Sequence, residues 1–143
     1  MNPRFDNLLA AAREAAKHAY SPYSHYAVGA ALLAEDGIIY TGCNVENASY
    51  GLTNCAERLA VFKAVCDGRR NFKALAVAAG TPGKIGTPCG ACRQVLAEFC
   101  TPDMPVLCVA LEGDGVLDFT LGELLPHGFS ESNLDSEGSS YGS

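Results

Sequence analysis

Cys89 and Cys92 form a Cys-x-x-Cys pair directly after Pro88, at the predicted start of a helix. Two thiolates at this spacing suit a metal site, and they equally suit a thioredoxin-like redox pair. A third interpretation, in which both are small buried core residues, also fits the pair alone. The motif by itself therefore marks a chemically special helix start without deciding its chemistry.

Cys55 stands at the predicted start of another helix and favours the metal. Two helices that leave the same edge of a sheet would direct both N-termini at one point, where their dipoles favour thiolates. A redox pair has no use for a third thiolate, whereas tetrahedral zinc does. Three protein ligands leave a fourth position for water, so the pattern predicts a catalytic zinc held by Cys55, Cys89 and Cys92.

Glu57 follows Cys55 by two residues, in the first turn of the same predicted helix. Three thiolates leave a zinc cluster negatively charged, which weakens its pull on a water proton. A carboxylate within reach of that water could take the proton and return it to a substrate. An isolated glutamate in a first turn would be explained by the helix dipole alone. Beside a candidate ligand, we interpret Glu57 as a proton shuttle.

The remaining polar and sulfur-containing candidates are assigned by their positions in the sequence. Arg58 and Gln94 suit donors to the thiolates, with ordinary surface positions as the alternative. Four further cysteines lie in apolar runs and are predicted to pack in the core: Cys43, Cys66, Cys100 and Cys108. Three histidines lie far from both helix starts in sequence and are predicted to be surface or turn residues: His18, His25 and His127.

The elements that must position these residues alternate between helices and strands. Helical spacing of apolar residues predicts helices at residues 3–19, 55–66 and 89–100, with a short one after residue 121. Apolar runs typical of strands cover residues 26–34, 37–45, 72–80, 104–112 and 116–121, and a hairpin signal joins the first two. This order predicts one α/β domain over residues 1–129, with helices packed on a mixed sheet. Residues 130–143 are predicted to be a flexible, acidic, Ser/Gly-rich tail.

Composition excludes several classes of protein. The chain has 143 residues and a formal net charge of −6, and binding a polyanion would require a basic face instead. No segment resembles a secretory signal, and no apolar run approaches the ~20 residues that span a bilayer. We therefore expect a small-molecule substrate and neither nucleic acid nor membrane as a partner. We also expect a cytoplasmic location, where the seven cysteines would be thiols or metal ligands.

Taken together, the motifs resemble those of the short-chain, homotetrameric type of cytidine deaminase. They are Cys-Ala-Glu at 55–57, Pro-Cys-x-x-Cys at 88–92 and the sequence CNVENASYG at 43–51. The resemblance implies a three-layer α/β/α fold around a mixed five-stranded sheet and one zinc ion per subunit. It also implies hydrolysis of cytidine and deoxycytidine to uridine and deoxyuridine with release of ammonia, in pyrimidine salvage.

Position by position, the resemblance assigns roles to individual residues. Glu57 matches the proton shuttle, and Arg58 and Gln94 match positions that neutralise the thiolates. Asn44 and Glu46 match the pair that hydrogen-bonds the ribose 3′-hydroxyl. The zinc ligands match Cys55, Cys89 and Cys92, and the backbone contact to the pyrimidine matches Ala56.

The resemblance also implies that active sites are shared between subunits of a homotetramer. Tyr26 and Phe129 match two aromatic positions that flank the base, and Phe129 would be presented by a neighbouring subunit. Tyr50 matches a residue that approaches the ribose across a subunit interface. The family commonly has Phe where this chain has Tyr26, whose added hydroxyl needs a partner if it is buried.

Three other functions compete with this interpretation. A non-catalytic zinc module would need a fourth protein ligand, and a thiol oxidoreductase would depend on Cys89 and Cys92 alone. A deaminase of another small cytosine nucleoside, such as a nucleoside antibiotic, would share the zinc core. Asn44 and Glu46 favour a substrate with a free 3′-hydroxyl.

Overall fold

The computed structural model describes residues 5–134, so residues 135–143 of the predicted flexible tail lie outside the described part. The α-helices are α1 Asp6–Ala16, α2 Ala56–Cys66, α3 Gly90–Phe99 and α4 Leu121–Leu124. The strands are β1 Val28–Ala34, β2 Ile39–Cys43, β3 Phe72–Thr81, β4 Lys84–Ile85, β5 Pro105–Val109 and β6 Val116–Thr120. Short 3₁₀ turns form at Tyr50–Leu52 and Glu131–Leu134. No helix within the described residues is long and apolar enough to cross a membrane.

The sheet is mixed, as the sequence predicts, with the strand order β2-β1-β3-β5-β6. β3 and β5 are parallel, whereas β1 is antiparallel to both β2 and β3, and β5 is antiparallel to β6. The two-residue strand β4 adds a sixth strand by pairing with the end of β3. The predicted five strands therefore form the main path, and β4 is too short to have a sequence signal.

Two apolar clusters on opposite faces of the sheet make the fold three-layered. Residues alternate between the faces along each strand. On one face, α1 packs against a cluster that includes Ala31, Ala76 and Leu107. On the other, α2, α3 and α4 contribute to a cluster that includes Leu75 and Val106. The helices therefore lie on both sides of one central sheet, which confirms the predicted fold class.

Glycines allow two helices to approach the sheet closely. A Cβ atom built on Gly29 of β1 would lie 2.0 Å from the backbone oxygen of Ala12 in α1. A Cβ atom built on Gly42 of β2 would lie 2.3 Å from the backbone oxygen of Ala56 in α2. Contacts shorter than 3.0 Å essentially never occur for real Cβ atoms. The backbone of each helix therefore rests directly on a strand.

The strand directions bring the starts of α2 and α3 to the same edge of the sheet. Because β1 is antiparallel to both neighbours, β2 and β3 run in the same direction. α2 follows β2 along the chain and α3 follows β3, so both helices begin beyond the same edge. The residues immediately before them are Cys55 and Cys89. This is the convergence that the sequence predicts.

One of the four cysteines predicted to lie in the core does not. Cys108 is buried and Cys43 and Cys100 are half-buried, but Cys66 is exposed. The buried residues of α2 are Ala56, Glu57, Ala60, Val61 and Ala64. The prediction for Cys66 is wrong because the small residues of α2 face the sheet, which leaves Cys66 on the outer face at the end of the helix. The three histidines are exposed, as predicted.

Candidate active site

Three cysteine sulfur atoms converge where α2 and α3 begin. Cys55 and Cys89 are the N-cap residues of α2 and α3, and Cys92 lies in the first turn of α3. The three Sγ atoms all lie within 4.8 Å of one another, with Cys55 and Cys89 separated by 3.8 Å and Cys89 and Cys92 by 3.4 Å. A group of this size and composition could hold one metal ion.

Arg58 supplies positive charge to this cluster. Its Nη2 donates a hydrogen bond to Cys55 Sγ at 3.3 Å, and its buried Nε has no partner among the described residues. Hydrogen bonds with Cys92 first, and then with Arg58, lower the pKa of Cys55 to about 5. The hydrogen bond to Cys55 raises the pKa of Cys92. A thiol that is readily deprotonated and a guanidinium with a spare donor fit a zinc ion bound by thiolates.

Glu57 is buried beside the cysteines, and only 4% of its surface is exposed. Burial raises the pKa of Glu57 because its charged form loses hydration, and the charge of Cys55 acts in the same direction. A carboxyl group with a raised pKa holds a proton more readily, which suits a group that must both accept and release one. Helix-dipole compensation does not require a buried glutamate, so the burial favours a chemical role.

A cavity of about 390 Å³ opens beside the cysteines and Glu57. Small-molecule sites in proteins have volumes of ~300–1,000 Å³ and are mostly apolar with a few polar groups. The lining here has that character, since Val28, Val77 and Ala79 lie alongside polar side chains. The predicted site residues that line it are Tyr26, Asn44, Glu46, Cys55, Ala56, Glu57 and Cys89.

Asn44 is held by the backbone that leads into β1. Its Oδ1 accepts a hydrogen bond from the Val28 N–H at 2.9 Å, and its Nδ2 donates to the Tyr26 carbonyl at 2.7 Å. Asn44 is also buried, with 8% of its surface exposed. An amide has two donor hydrogens and two acceptor lone pairs on its oxygen, so one of each remains available.

Glu46 is held by the loop that precedes β1. One carboxylate oxygen accepts hydrogen bonds from the backbone N–H groups of Tyr23 and Ser24, at 2.9 and 3.1 Å. The other accepts from the Ser24 hydroxyl. The hydroxyl bond is the main reason that the pKa of Glu46 lies below its ordinary value. Glu46 is therefore an oriented carboxylate at the rim of the cavity.

Five predicted site residues do not line this cavity: Cys92 and Arg58, which belong to the sulfur cluster beside it, and Tyr50, Phe129 and Gln94. Tyr50 is 75% exposed and lies edge-to-face against Tyr23, with ring centroids 6.0 Å apart. Phe129 is 56% exposed and lines a different groove, beside the end of α3. Gln94 Nε2 donates to the Phe129 carbonyl at 2.8 Å, and its donation to a thiolate stays a prediction. α3 carries Gln94 two residues past Cys92, and its exposed side chain faces the C-terminal segment.

Sequence reasoning missed several residues that line the cavity. Ser24, Thr53, Asn54 and Thr87 contribute polar groups there. Ser24 belongs to the Ser-Pro-Tyr-Ser segment, which the sequence marks only as a helix break. Its proximity to Glu46 depends on a long-range contact across 22 residues that no local pattern encodes.

Comparison with known proteins gives consistent matches over most of the chain. Residues 4–108 match the family model described as the cytidine and deoxycytidylate deaminase zinc-binding region. The chain is 57% identical over 129 residues to a cytidine deaminase of Sporosarcina psychrophila. The aligned region covers 90% of this chain and 93% of that protein. A cytidine deaminase of Halalkalibacterium halodurans is 51% identical over 128 residues, covering 90% and 96% of the two chains. The crystal structure of cytidine deaminase from Burkholderia pseudomallei superposes with a TM-score of 0.82 at 47% identity, covering 90% of this chain and all of that one.

Proposed function

Because this chain belongs to the zinc-binding family of cytidine and deoxycytidylate deaminases, we propose that it hydrolyses free cytidine and deoxycytidine to uridine and deoxyuridine. Ammonia is the second product. The observation that carries the proposal is a cluster of three cysteine sulfurs at the edge of one cavity, which Cys55, Cys89, the buried Glu57, Asn44 and Glu46 line. A redox pair or a purely structural zinc site would have no use for that cavity or for a buried carboxyl group.

One zinc ion per subunit is held by the sulfur atoms of Cys55, Cys89 and Cys92. When bound, zinc supplies a Lewis acid that lowers the pKa of a water molecule in the cavity. Arg58 donates to Cys55 and offsets the negative charge of the thiolates. The short separations between the sulfurs and the lowered pKa of Cys55 support this ligand set.

Glu57 moves the protons. Its carboxylate takes a proton from the water and delivers it to N3 of the pyrimidine, while the water oxygen bonds to C4. A second proton from the same oxygen passes through Glu57 to the exocyclic amine, which leaves as ammonia as the C4 carbonyl forms. Each transfer requires a group that alternates between acid and base, which the raised pKa of Glu57 supports.

The substrate is held by the walls of the cavity. Asn44 and Glu46 hydrogen-bond the ribose 3′-hydroxyl, the backbone at Ala56 contacts the pyrimidine, and Tyr26 flanks the base. Asn44 retains one donor hydrogen and one lone pair, so it can serve a hydroxyl without giving up its own contacts. A negatively charged Glu46 suits a neutral nucleoside better than a phosphorylated one.

The protein assembles as a homotetramer in which Phe129 and Tyr50 complete sites of neighbouring subunits. Both side chains are largely exposed in a single chain, as are Leu52 (66%) and Phe62 on the outer face of α2 (42%). Exposed apolar side chains of this size often mark interfaces. We place the reaction in pyrimidine salvage in the cytoplasm, since a reducing compartment suits seven free thiols.

The decisive experiment follows the ultraviolet absorbance change when purified, zinc-loaded protein is incubated with cytidine or deoxycytidine. We expect deamination by the wild-type protein and a loss of ~10²–10⁴ in kcat for Glu57→Gln, which keeps the shape of the side chain. Zinc content should be equal in both proteins. A zinc-loaded wild-type protein that is inert on both substrates would contradict the proposal and favour the alternative, a deaminase of a nucleoside antibiotic.

Shared sites are tested by mixing subunits. Glu57→Gln chains and Phe129→Ala chains are combined under conditions of subunit exchange. Hybrid tetramers then contain sites with both an intact Glu57 and an intact Phe129, so activity should rise above that of Phe129→Ala alone. A fully active monomer in light scattering, or no rescue despite exchange, would refute the shared site.

A further inference from the structure

The Ser24 hydroxyl lies at the centre of a chain of hydrogen bonds along one wall of the cavity. It accepts a hydrogen bond from the Tyr26 backbone N–H at 3.1 Å and donates to Glu46 Oε2. The Tyr26 carbonyl in turn accepts from Asn44 Nδ2 at 2.7 Å. The series Asn44–Tyr26–Ser24–Glu46 therefore joins the two residues proposed to bind the sugar through the residue proposed to flank the base.

The chemistry of a hydroxyl fixes the direction of this chain. Ser24 has one hydroxyl proton, and Tyr26 already occupies one of its oxygen lone pairs. The proton is therefore directed to Glu46, whose carboxylate can only accept. Neighbouring hydrogen bonds of this kind polarise and strengthen one another.

The carboxylate of Glu46 can accept few hydrogen bonds beyond those it already makes. A carboxylate offers about four acceptor positions. Two are used by the backbone N–H groups of Tyr23 and Ser24 and one by the Ser24 hydroxyl. The position that remains suits one further donor, such as a substrate hydroxyl. Without the Ser24 hydroxyl, the second oxygen would lose the contact that sets its orientation.

We propose that Ser24 is a positioning residue that orients Glu46 toward the ribose 3′-hydroxyl and links that carboxylate to Tyr26. The inference depends on the proposed function, because it gives Glu46 a sugar to bind. If Ser24 instead only stabilised the loop, its removal would reduce activity on every substrate to the same extent.

The test compares kcat/KM for cytidine and 3′-deoxycytidine in wild-type, Ser24→Ala, Ser24→Thr and Glu46→Ala proteins. Ser24→Ala should lose about tenfold on cytidine, the effect of a hydrogen bond to a charged group, and less than about twofold on 3′-deoxycytidine. Ser24→Thr keeps the hydroxyl and should recover most of the loss. The ratio between the substrates does not depend on how much of a variant is folded, so a destabilised Ser24→Ala protein remains informative.

A matched control and a double variant complete the design. The control is Ser21→Ala, in the same loop. The Ser21 backbone carbonyl accepts a hydrogen bond from the His25 N–H, and the substitution keeps that carbonyl. The ratio of kcat/KM between the two substrates should therefore equal that of wild type. In the Glu46→Ala background, adding Ser24→Ala should cause little further loss on cytidine, because the two residues act as one unit.

The outcomes separate the inference from the function on which it depends. Suppose that Glu46→Ala loses more activity on cytidine than on 3′-deoxycytidine. Equal losses on both substrates for Ser24→Ala, or full additivity of Ser24→Ala with Glu46→Ala, would then overturn the role of Ser24 alone. A Glu46→Ala protein that does not discriminate overturns sugar binding by Glu46 and the inference with it. A wild-type protein inert on cytidine overturns the proposed function itself.

Discussion

Gly42→Ala should displace helix α2 and, with it, the proposed zinc ligand Cys55 and the proposed proton shuttle Glu57 at the start of that helix. The added Cβ would lie 2.3 Å from the Ala56 carbonyl oxygen and 2.7 Å from the Ala60 nitrogen. Both are backbone atoms of α2, so no side-chain rotation relieves the overlap. Either the helix or the strand must move.

The size of the movement follows from these distances. Ordinary van der Waals contact begins at 3.4 Å, so α2 must move away from β2 by about 1 Å. Overpacking of this kind costs about 1–3 kcal/mol of the free energy of unfolding. α2 begins directly after Cys55 and carries Glu57 in its first turn. A misplacement of ~1 Å in a catalytic group lowers activity by ~10²-fold.

Three measurements check this prediction. Urea unfolding of the metal-free protein gives the stability loss, elemental analysis gives zinc content, and the absorbance assay gives kcat/KM. Gly115→Ala is the matched control, because its Cβ would meet Ile85 Cδ1 at an ordinary 3.8 Å. Gly42→Ala with the stability and turnover of wild type would refute the reasoning, since it would show that contact with β2 does not fix the position of α2.

Three further predictions concern the metal and the sugar. Cys92→Ala should lose zinc, as measured by elemental analysis. The control Cys108→Ala also removes a buried thiol and should keep its zinc. A Cys92→Ala protein with its full zinc content would contradict the three-ligand site. Arg58→Ala should weaken zinc retention against a chelator by ~10–100-fold, as loss of a residue bonded to a ligand does, and unchanged retention would leave Arg58 without that role. Asn44→Ala leaves the Val28 N–H and the Tyr26 carbonyl unpaired, so urea unfolding should show a loss of about 1–3 kcal/mol, and a neutral effect would argue against their bonds to Asn44.

The features that sequence could predict are those with a local signature. Cys55 and Cys89 precede helices whose starts are marked by composition and spacing, and both prove to be N-cap residues. Alternation of helices and strands, together with the hairpin signal, was enough to predict helices packed on a mixed sheet, and the three layers were implied by the family resemblance. The meeting of the cysteines followed from strand direction, which a hairpin and a crossover connection together determine.

The features that sequence could not predict depend on contacts between distant segments. Leu59 and Phe62 are the large apolar residues of α2, yet Phe62 is 42% exposed while Ala60 and Ala64 are fully buried. Small residues face the sheet because α2 rests on Gly42. The size of the apolar side chains alone would instead predict that the face with Phe62 is buried. Gln94 could not be assigned to the Phe129 carbonyl, because that contact spans 35 residues.

The position of β1 between β2 and β3 also sets the order in which the metal site can form during folding. Cys55 and Cys89 are 34 residues apart and lie on helices that follow different strands. They meet only after β1 has paired with both β2 and β3, and pairings between distant segments form slowly. Zinc uptake therefore marks a chain whose central strands are already in order, and a chain with misplaced strands has no complete site to load.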